Sequence, residues 1–318
     1  PPKLDPPLDS LTVYSGAAVV MGINSIINGN VQAMAAGNIG ANTTIGGNLH
    51  TAASVTLSAS AKINGDLTAG AAISVGKKSV IIGNLTSGSL GSTDIGEDAI
   101  IGGNAQAGTA LTLGENTTIG GNVQAGIGAL TLGINAKVIG DATAGTTITL
   151  GTGATVGGTT TQRSPTLLIN APIEDQRIQL EKIKANLAAI QAPSTNELPT
   201  AMTLDTKLDA GIYHATALSI TAGITITFDG KGQKGHWLIN SDSFFDFAAN
   251  TTMVLLNVTA DSTITWNAAS YTATGENASI IGTFFASSYI LTGQNTMLEG
   301  IGDACGGLFT TTGAVTLG

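Results

Sequence analysis

Residues 103–126 read GNAQAGTALTLGENTTIGGNVQAG, and the opening GNAQAG returns 18 positions later as GNVQAG. Outward from this stretch the same step stands at Gly29-Asn30, Gly47-Asn48, Gly65-Asp66, Gly83-Asn84, Gly103-Asn104, Gly121-Asn122 and Gly140-Asp141, and Gly158-Thr159 closes the run. The spacings are 18, 18, 18, 20, 18, 19 and 18 residues. A fixed period with one corner motif per repeat specifies a stacked-coil β-solenoid, because one repeat cannot bury its own apolar face and neighbouring coils must cover it. Inward apolar positions recur six apart, as in Leu57, Ile63 and Ala69, in Leu113, Ile119 and Ala125, and in Leu132, Val138 and Ala144. Each coil is therefore expected to carry three short strands. The extra residues enter between Ser87 and Ile95 and between Ala125 and Leu132, so two corners are fixed and one is free to bulge. Asn, Asp and Gly at the Gly-Asn steps read as corner residues that tolerate a left-handed backbone. The column Asn48, Asn84, Asn104 and Asn122 reads as a structural ladder of stacked side chains.

The composition narrows the function. The chain has 318 residues, 43 of them Gly, with only 10% charged residues and a net charge of −9. That is too apolar and too patterned for disorder. No basic cluster exists beyond Lys77-Lys78, which excludes a nucleic-acid partner. No apolar run approaches the roughly 18 to 20 residues of a membrane span. Cys305 is the single cysteine, which rules out an intrachain disulfide and a thiolate metal cage and reads as a buried apolar residue. His50, His214 and His236 lack metal-ligand spacing, and Asp242, Asp246 and Glu276 have no nucleophile or base partner in the sequence. Neither an enzyme nor a cofactor is expected. The start Pro1-Pro2-Lys3, without Met, fits a chain from which a signal peptide has been removed, placing it outside the cell or at its surface.

Four segments follow from the pattern: a proline-rich extended arm at 1–9, a repeat β-solenoid at 10–165, a linker and amphipathic helix at 166–196, and a second β-helix segment at 197–318. The helix is expected over 173–192, IEDQRIQLEKIKANLAAIQA, with Leu180, Ile183, Leu187 and Ile190 as its buried stripe. Pro172 precedes it, Glu174 and Asp175 fall in its first turn, and Pro193 stops it. Such a helix is roughly 30 Å long. Beyond 197 the strands carry Trp237, Trp266 and all seven Phe, which predicts a wider core.

The C-terminal order carries a resemblance. An aliphatic helix is followed by Asp209-Ala210-Gly211-Ile212-Tyr213, a Thr-rich strand ending Phe228-Asp229-Gly230, His236-Trp237-Leu238-Ile239 and Ile264-Thr265-Trp266. Ile281-Gly282-Thr283-Phe284-Phe285-Ala286, Gly307-Leu308-Phe309 and Gly313-Ala314-Val315-Thr316-Leu317 complete it. This resembles the secreted ice-binding-protein family of cold habitats over residues 173–318 and an opening segment near 10–33. The resemblance implies a right-handed β-helix with one α-helix alongside, and ice as the partner. The six-residue step is also similar to that of left-handed hexapeptide solenoids, so spacing alone leaves the hand open. The inserted repeats at 35–165 look like bactofilin-type solenoids. That second resemblance implies a self-assembling extracellular scaffold or filament subunit that pairs with copies of itself through solenoid ends. The mid-pattern finish at Thr316-Leu317-Gly318 points to the C-terminal coil as such an end.

A surface that binds ice, or another ordered extracellular surface, is a flat hydroxylic strand face. Three outward columns can be read from the repeats. The first is Thr56, Ser74, Asp94, Thr112, Thr131 and Thr149; the second is Thr44, Lys62, Val80, Ile100, Thr118, Lys137 and Thr155; the third is Gln32, His50, Thr68, Thr86, Gln106, Gln124, Thr143 and Thr161. Lysines interrupt the second and long Gln side chains the third. The candidates are therefore Thr56, Ser74, Thr112, Thr131 and Thr149, with Thr225 and Thr227 added by family analogy.

Overall fold

The computed structural model describes residues 8–168, 173–302 and 306–318; the arm up to residue 7, Pro172 and Cys305 lie outside these. The chain is mainly β and forms two compact units, one of Ala18–Glu174 and one of Pro1–Ala17 with Asp175–Gly318.

In Ala18–Glu174 each repeat makes one coil of three short strands, one on each of three faces. The first face runs from Val19–Met21 to Ile148–Leu150, the second is an eight-stranded sheet from Ile26–Ile27 to Thr155–Val156, and the third runs from Asn30–Ala33 to Thr160–Thr161. Every pairing is parallel and joins residues one period apart, such as Leu113↔Leu132, Ile119↔Val138 and Ala125↔Ala144. These six side chains point inward and are at most 1% exposed. Each Leu or Ile buried this way contributes about 1.5–3 kcal/mol.

The Gly-Asn steps work differently from the sequence reading. The side-chain oxygens of Asn30, Asn48, Asp66, Asn84, Asn104, Asn122 and Asp141 each accept the backbone N–H of the equivalent residue one coil on, at 2.7–2.9 Å. The glycine beside each acceptor leaves room for the oxygen of the preceding coil. A Cβ at Gly121 would stand 2.3 Å from Asn104 Oδ1, and one at Gly65 would stand 2.1 Å from Asn48 Oδ1. The glycines are thus needed for close approach rather than for a left-handed bend. Left-handed residues sit at another corner, between the first and second faces. There Asn24, Asn42, Ser60, Lys78, Asp98, Asn116 and Asn135 have φ of 54–61°. Asn and Asp are favoured there because a short polar side chain tolerates this region. The extra residues bulge outward at the remaining corner, where Leu90 is 82% exposed.

The second unit has wider coils. Its longest strand column steps through Ile212, Leu238, Thr265, Thr283 and Gly307, separations of 26, 27, 18 and 24 residues. The wider interior holds aromatic rings: Trp266 lies against Phe245, Phe247 and Phe284 at 5.1, 5.3 and 5.6 Å between ring centres. Both buried indoles are satisfied, Trp237 Nε1 donating to Leu208 O and Trp266 Nε1 to Ile281 O, each at 3.1 Å. The strand Leu11–Ser15 pairs with Gly307–Thr310, so the opening segment belongs to this unit only as far as Ala17.

The helix is shorter than its sequence pattern. It spans Arg177–Ala188, 12 residues or about 18 Å. Asp175 stands before the first turn, where its carboxylate accepts the Arg177 backbone N–H at 3.0 Å and pairs with the Arg177 guanidinium. Chain that would otherwise extend the helix is held there as its entry. Leu180 and Leu187 are buried, Ile183 is half-buried, and Ile190 lies past the last turn with 44% exposure. Between Leu180 and Leu187, Lys184 rather than Ile183 is the buried side chain.

The corner geometry is testable. Gly121→Ala is expected to cost about 1–3 kcal/mol by overpacking, while Asn104→Ala removes the obstructing oxygen. The double variant should therefore be more stable than the sum of the two single losses in urea denaturation. Simple additivity would show that the Cβ and the ladder oxygen do not compete for the same space.

Candidate functional site

Strand register turns the three outward sequence columns into three surfaces. On the first face, pairings run Asn38↔Thr56, Thr56↔Ser74, Ser74↔Asp94, Asp94↔Thr112, Thr112↔Thr131 and Thr131↔Thr149. Five of these side chains are hydroxylic, and all seven project from the sheet at one per coil, about 4.8 Å apart. The residues flanking this column are small. On one side stand Ala36, Ser54, Ala72, Ser92, Ala110, Ala129 and Thr147, each bonded through its carbonyl to the neighbouring coil. On the other side stand Gly40, Ser58, Gly76, Gly96, Gly114, Gly133 and Gly151. Gly114 has no room for more, since a Cβ there would stand 2.7 Å from the Glu97 backbone nitrogen. The result is a flat face with Asp94 as its one charge. The small flanking columns were legible in the sequence as repeated Ala and Gly, but they acquire meaning only once the register is known.

The other two faces are of a different character. The second column runs Lys62↔Val80↔Ile100↔Thr118↔Lys137, and Ile26 at its start is 68% exposed. The third column is partly covered. Gln32 is buried and donates to Glu174 O at 2.9 Å, while Thr166 N bonds Gly126 O as the chain returns along the coils.

In the second unit Thr225 and Thr227 share the strand Thr225–Asp229 but have different neighbours. Thr225 aligns with Thr252 and then Ser279, whereas Thr227 lies between Lys207 and Val254 on the same sheet. Thr265 is on another sheet and buried, and Thr316 is on a third. The hydroxyls there alternate with Val254, Leu255, Leu256 and Met297, all at least 36% exposed.

A groove of about 660 Å³ in this unit was not anticipated from the sequence. It lies beside the helix and is lined by Glu181, Lys184, Glu197, His214, Asn240 and Asp242 among others. Asn240 Nδ2 donates at 2.8 Å to Leu187 O, a last-turn carbonyl that also accepts the Ile190 N–H at 3.1 Å. Asn267 Nδ2 donates to Lys184 O at 3.2 Å and to Asn240 Oδ1 at 2.9 Å. Lys184 Nζ donates to Asn267 Oδ1 at 3.0 Å and to Ala268 O at 2.5 Å. At the groove end His214 is held by Glu197 at 2.8 Å and Asp242 at 3.0 Å, whose hydrogen bonds raise its pKa. Both ring nitrogens are engaged, so His214 offers no lone pair to a metal. Among the described residues no group of three His, Cys, Asp or Glu is placed to hold a metal ion. The groove therefore fastens the helix to the sheet.

Residues 170–318 match the model of the Ice-binding-like family. No curated protein matches the chain. Similar solved structures include an ice binding protein from an Antarctic Biological Consortium, 19% identical, covering 68% of this chain and 83% of its own, with a TM-score of 0.38. An ice-binding protein from the Antarctic ascomycete Antarctomyces psychrotrophicus is 16% identical, with coverage of 59% and 90% and a TM-score of 0.35. A third, an ice binding protein from an Antarctic Flavobacteriaceae bacterium, is 14% identical, with coverage of 98% and 97% and a TM-score of 0.25.

Burial lowers the Lys184 ammonium to about 8. An unfolded lysine keeps its proton to about 10.4. Between these values the unfolded chain binds more protons, so stability should rise with pH, at up to about 1.4 kcal/mol per unit. Below about 8 the cost of burying the charge is present in full. The urea midpoint of the parent, measured against that of Lys184→Met, should climb from pH 7.5 to 9.5. A constant difference would mean that Lys184 keeps its ordinary pKa.

Proposed function

We propose that this chain, whose residues 170–318 match the Ice-binding-like family, binds ice without catalysis, through the first face of the Ala18–Glu174 solenoid. The observation that carries the reading is the register-aligned column of Asn38, Thr56, Ser74, Asp94, Thr112, Thr131 and Thr149 between two columns of small residues. A crystal surface presents ordered water at fixed spacing. A matching protein surface must be flat, rigid and weakly hydrated. Thr suits this because its hydroxyl exchanges a hydrogen bond with lattice water while its methyl excludes loose water. A charge on the same plane holds its own hydration shell, since stripping water from it is costly. Asp94 therefore interrupts the column, and Thr112, Thr131 and Thr149 form its uncharged hydroxylic stretch. Face two fails on Lys62 and Lys137, and face three is partly covered. Rigidity comes from the corner ladder, which fixes every coil to the next. The setting of such a protein is the extracellular fluid or the cell surface, where ice is met, and secretion belongs to the same proposal.

The test is substitution on competing faces. Thr131→Lys should abolish ice shaping and thermal hysteresis, whereas Thr225→Lys should leave both at parent level. Neither change should alter stability by more than about 0.5 kcal/mol, as is usual at outward positions. Loss of activity in Thr225→Lys with a fully active Thr131→Lys would move the ice face to the second unit. A parent that neither shapes ice nor slows recrystallisation would end the ice reading.

A further inference from the structure

The last coil of the solenoid, Ile148–Leu150, Thr155–Val156 and Thr160–Thr161, supplies the final strand of each of its three faces. Its inward side chains are open to solvent. Leu150 is 49% exposed, and Ile148, Ala154 and Val156 are half-buried. The equivalent residues one coil earlier, Leu130, Leu132, Ala136 and Val138, are at most 1% exposed. After Thr161 the chain does not cross this end but turns back, with Arg163 N bonding Thr146 O and Ser164 N bonding Ala144 O. Among the described residues nothing caps the three free strand edges. The coil also lacks the charges that normally keep an edge from pairing. No Asp, Glu, Lys or Arg occurs between Asp141 and Arg163.

The same protein shows what a protected terminal coil looks like. In the second unit the coil of Ala201–Met202, Thr206–Asp209 and Gly211–Ala215 also stands at a sheet end, but Met202, Leu208 and Tyr213 are at most 8% exposed. There Leu198 N bonds His214 O at 2.7 Å and Asn196 Nδ2 bonds Ile212 O at 3.0 Å, laying a short cap over the edge. Charges guard it too, with Lys231 on Asp209 at 2.6 Å and Lys207 on Asp229. The contrast falls on the two features that prevent edge pairing, and the solenoid end lacks both. The expected open end at Thr316-Leu317 is closed, since Val315 and Leu317 are buried.

We infer that the Ile148–Thr161 coil is a self-docking surface that joins the same coil of a second copy, head to head, into a closed dimer. The occupant follows from the shape. Three free strand edges around an apolar triangle can be satisfied together only by another three-sided coil of the same cross-section. A two-fold axis across the end would pair each edge antiparallel with an edge of the other copy and bury Leu150 and Val156 of both. Such an isologous contact uses up the open surface and stops at two. A filament would need a second open end, and Val19 and Met21 of the first coil are buried. This inference rests on the fold and holds whatever the first face binds.

Sedimentation velocity of the full chain over a wide concentration range, without ice, tests it. The parent should convert to a species of twice the chain mass, and Leu150→Lys and Val156→Lys should each remain monomeric with an unchanged melting curve. A parent that stays monomeric at its highest soluble concentration overturns the inference, as do both variants dimerising like the parent. Should either substitution unfold the coil, amide exchange on the parent decides. Protection of residues 148–161 must grow with concentration, and concentration-independent exchange contradicts the dimer.

Discussion

The structure depends on one contact repeated along the solenoid: a side-chain oxygen from one coil occupying the space where the next coil has no Cβ. Asn104 Oδ1 reaches the Asn122 N–H at 2.8 Å only because Gly121 beside it is a glycine. A stack of short parallel strands has little else to fix its register, since two- and three-residue strands offer few ladder bonds each. A slip by one residue would turn every inward Leu or Ile outward. The corner bond forbids that slip at each coil, and the aliphatic core then fills itself.

A fixed register has a consequence on the outside. Residues that recur at the same place in the period line up at the strand spacing, so a Thr kept at one position becomes a straight column. Small residues kept two positions either side become a plane around it. The properties of the first face are therefore an output of the corners, and the lysines of the second face show the same machinery producing a charged surface. The second unit achieves stability by other means, with a wide aromatic core and a helix fastened by Asn240, Asn267 and Lys184.

Much of this was legible in the residues because a solenoid repeats its evidence. Eight near-copies of one coil identify the inward positions and the outward columns, which are matters of period alone. The corners were harder. Gly-Asn suggests a left-handed bend by composition, and only atomic positions show that the glycine yields space while the true left-handed residues, Asn24 to Asn135, lie at another corner. The helix stripe occurs once, without repetition, and gives no sign that Lys184 joins Leu180 and Leu187 on the buried face while Ile190 does not. Long aliphatic stems bury readily when a polar partner awaits the ammonium, here Asn267 and Ala268 O, and such a partner is invisible in sequence. Thr225 and Thr227 rest on analogy alone, and only the strand register shows that Thr225 aligns with Thr252 whereas Thr227 stands between Lys207 and Val254.

If the first face is the ice plane, its contact grows with each coil, because each adds one outward side chain to the same column. Thermal hysteresis measured on chains lacking one coil, residues 104–121, or carrying that coil twice tests this most directly. The corner bonds allow whole coils to be removed or added without changing register. Hysteresis should fall in the shortened chain and rise in the lengthened one, at equal molar concentration. Hysteresis independent of coil number, in variants that stay folded, would contradict it and show that the solenoid face is not where ice is held.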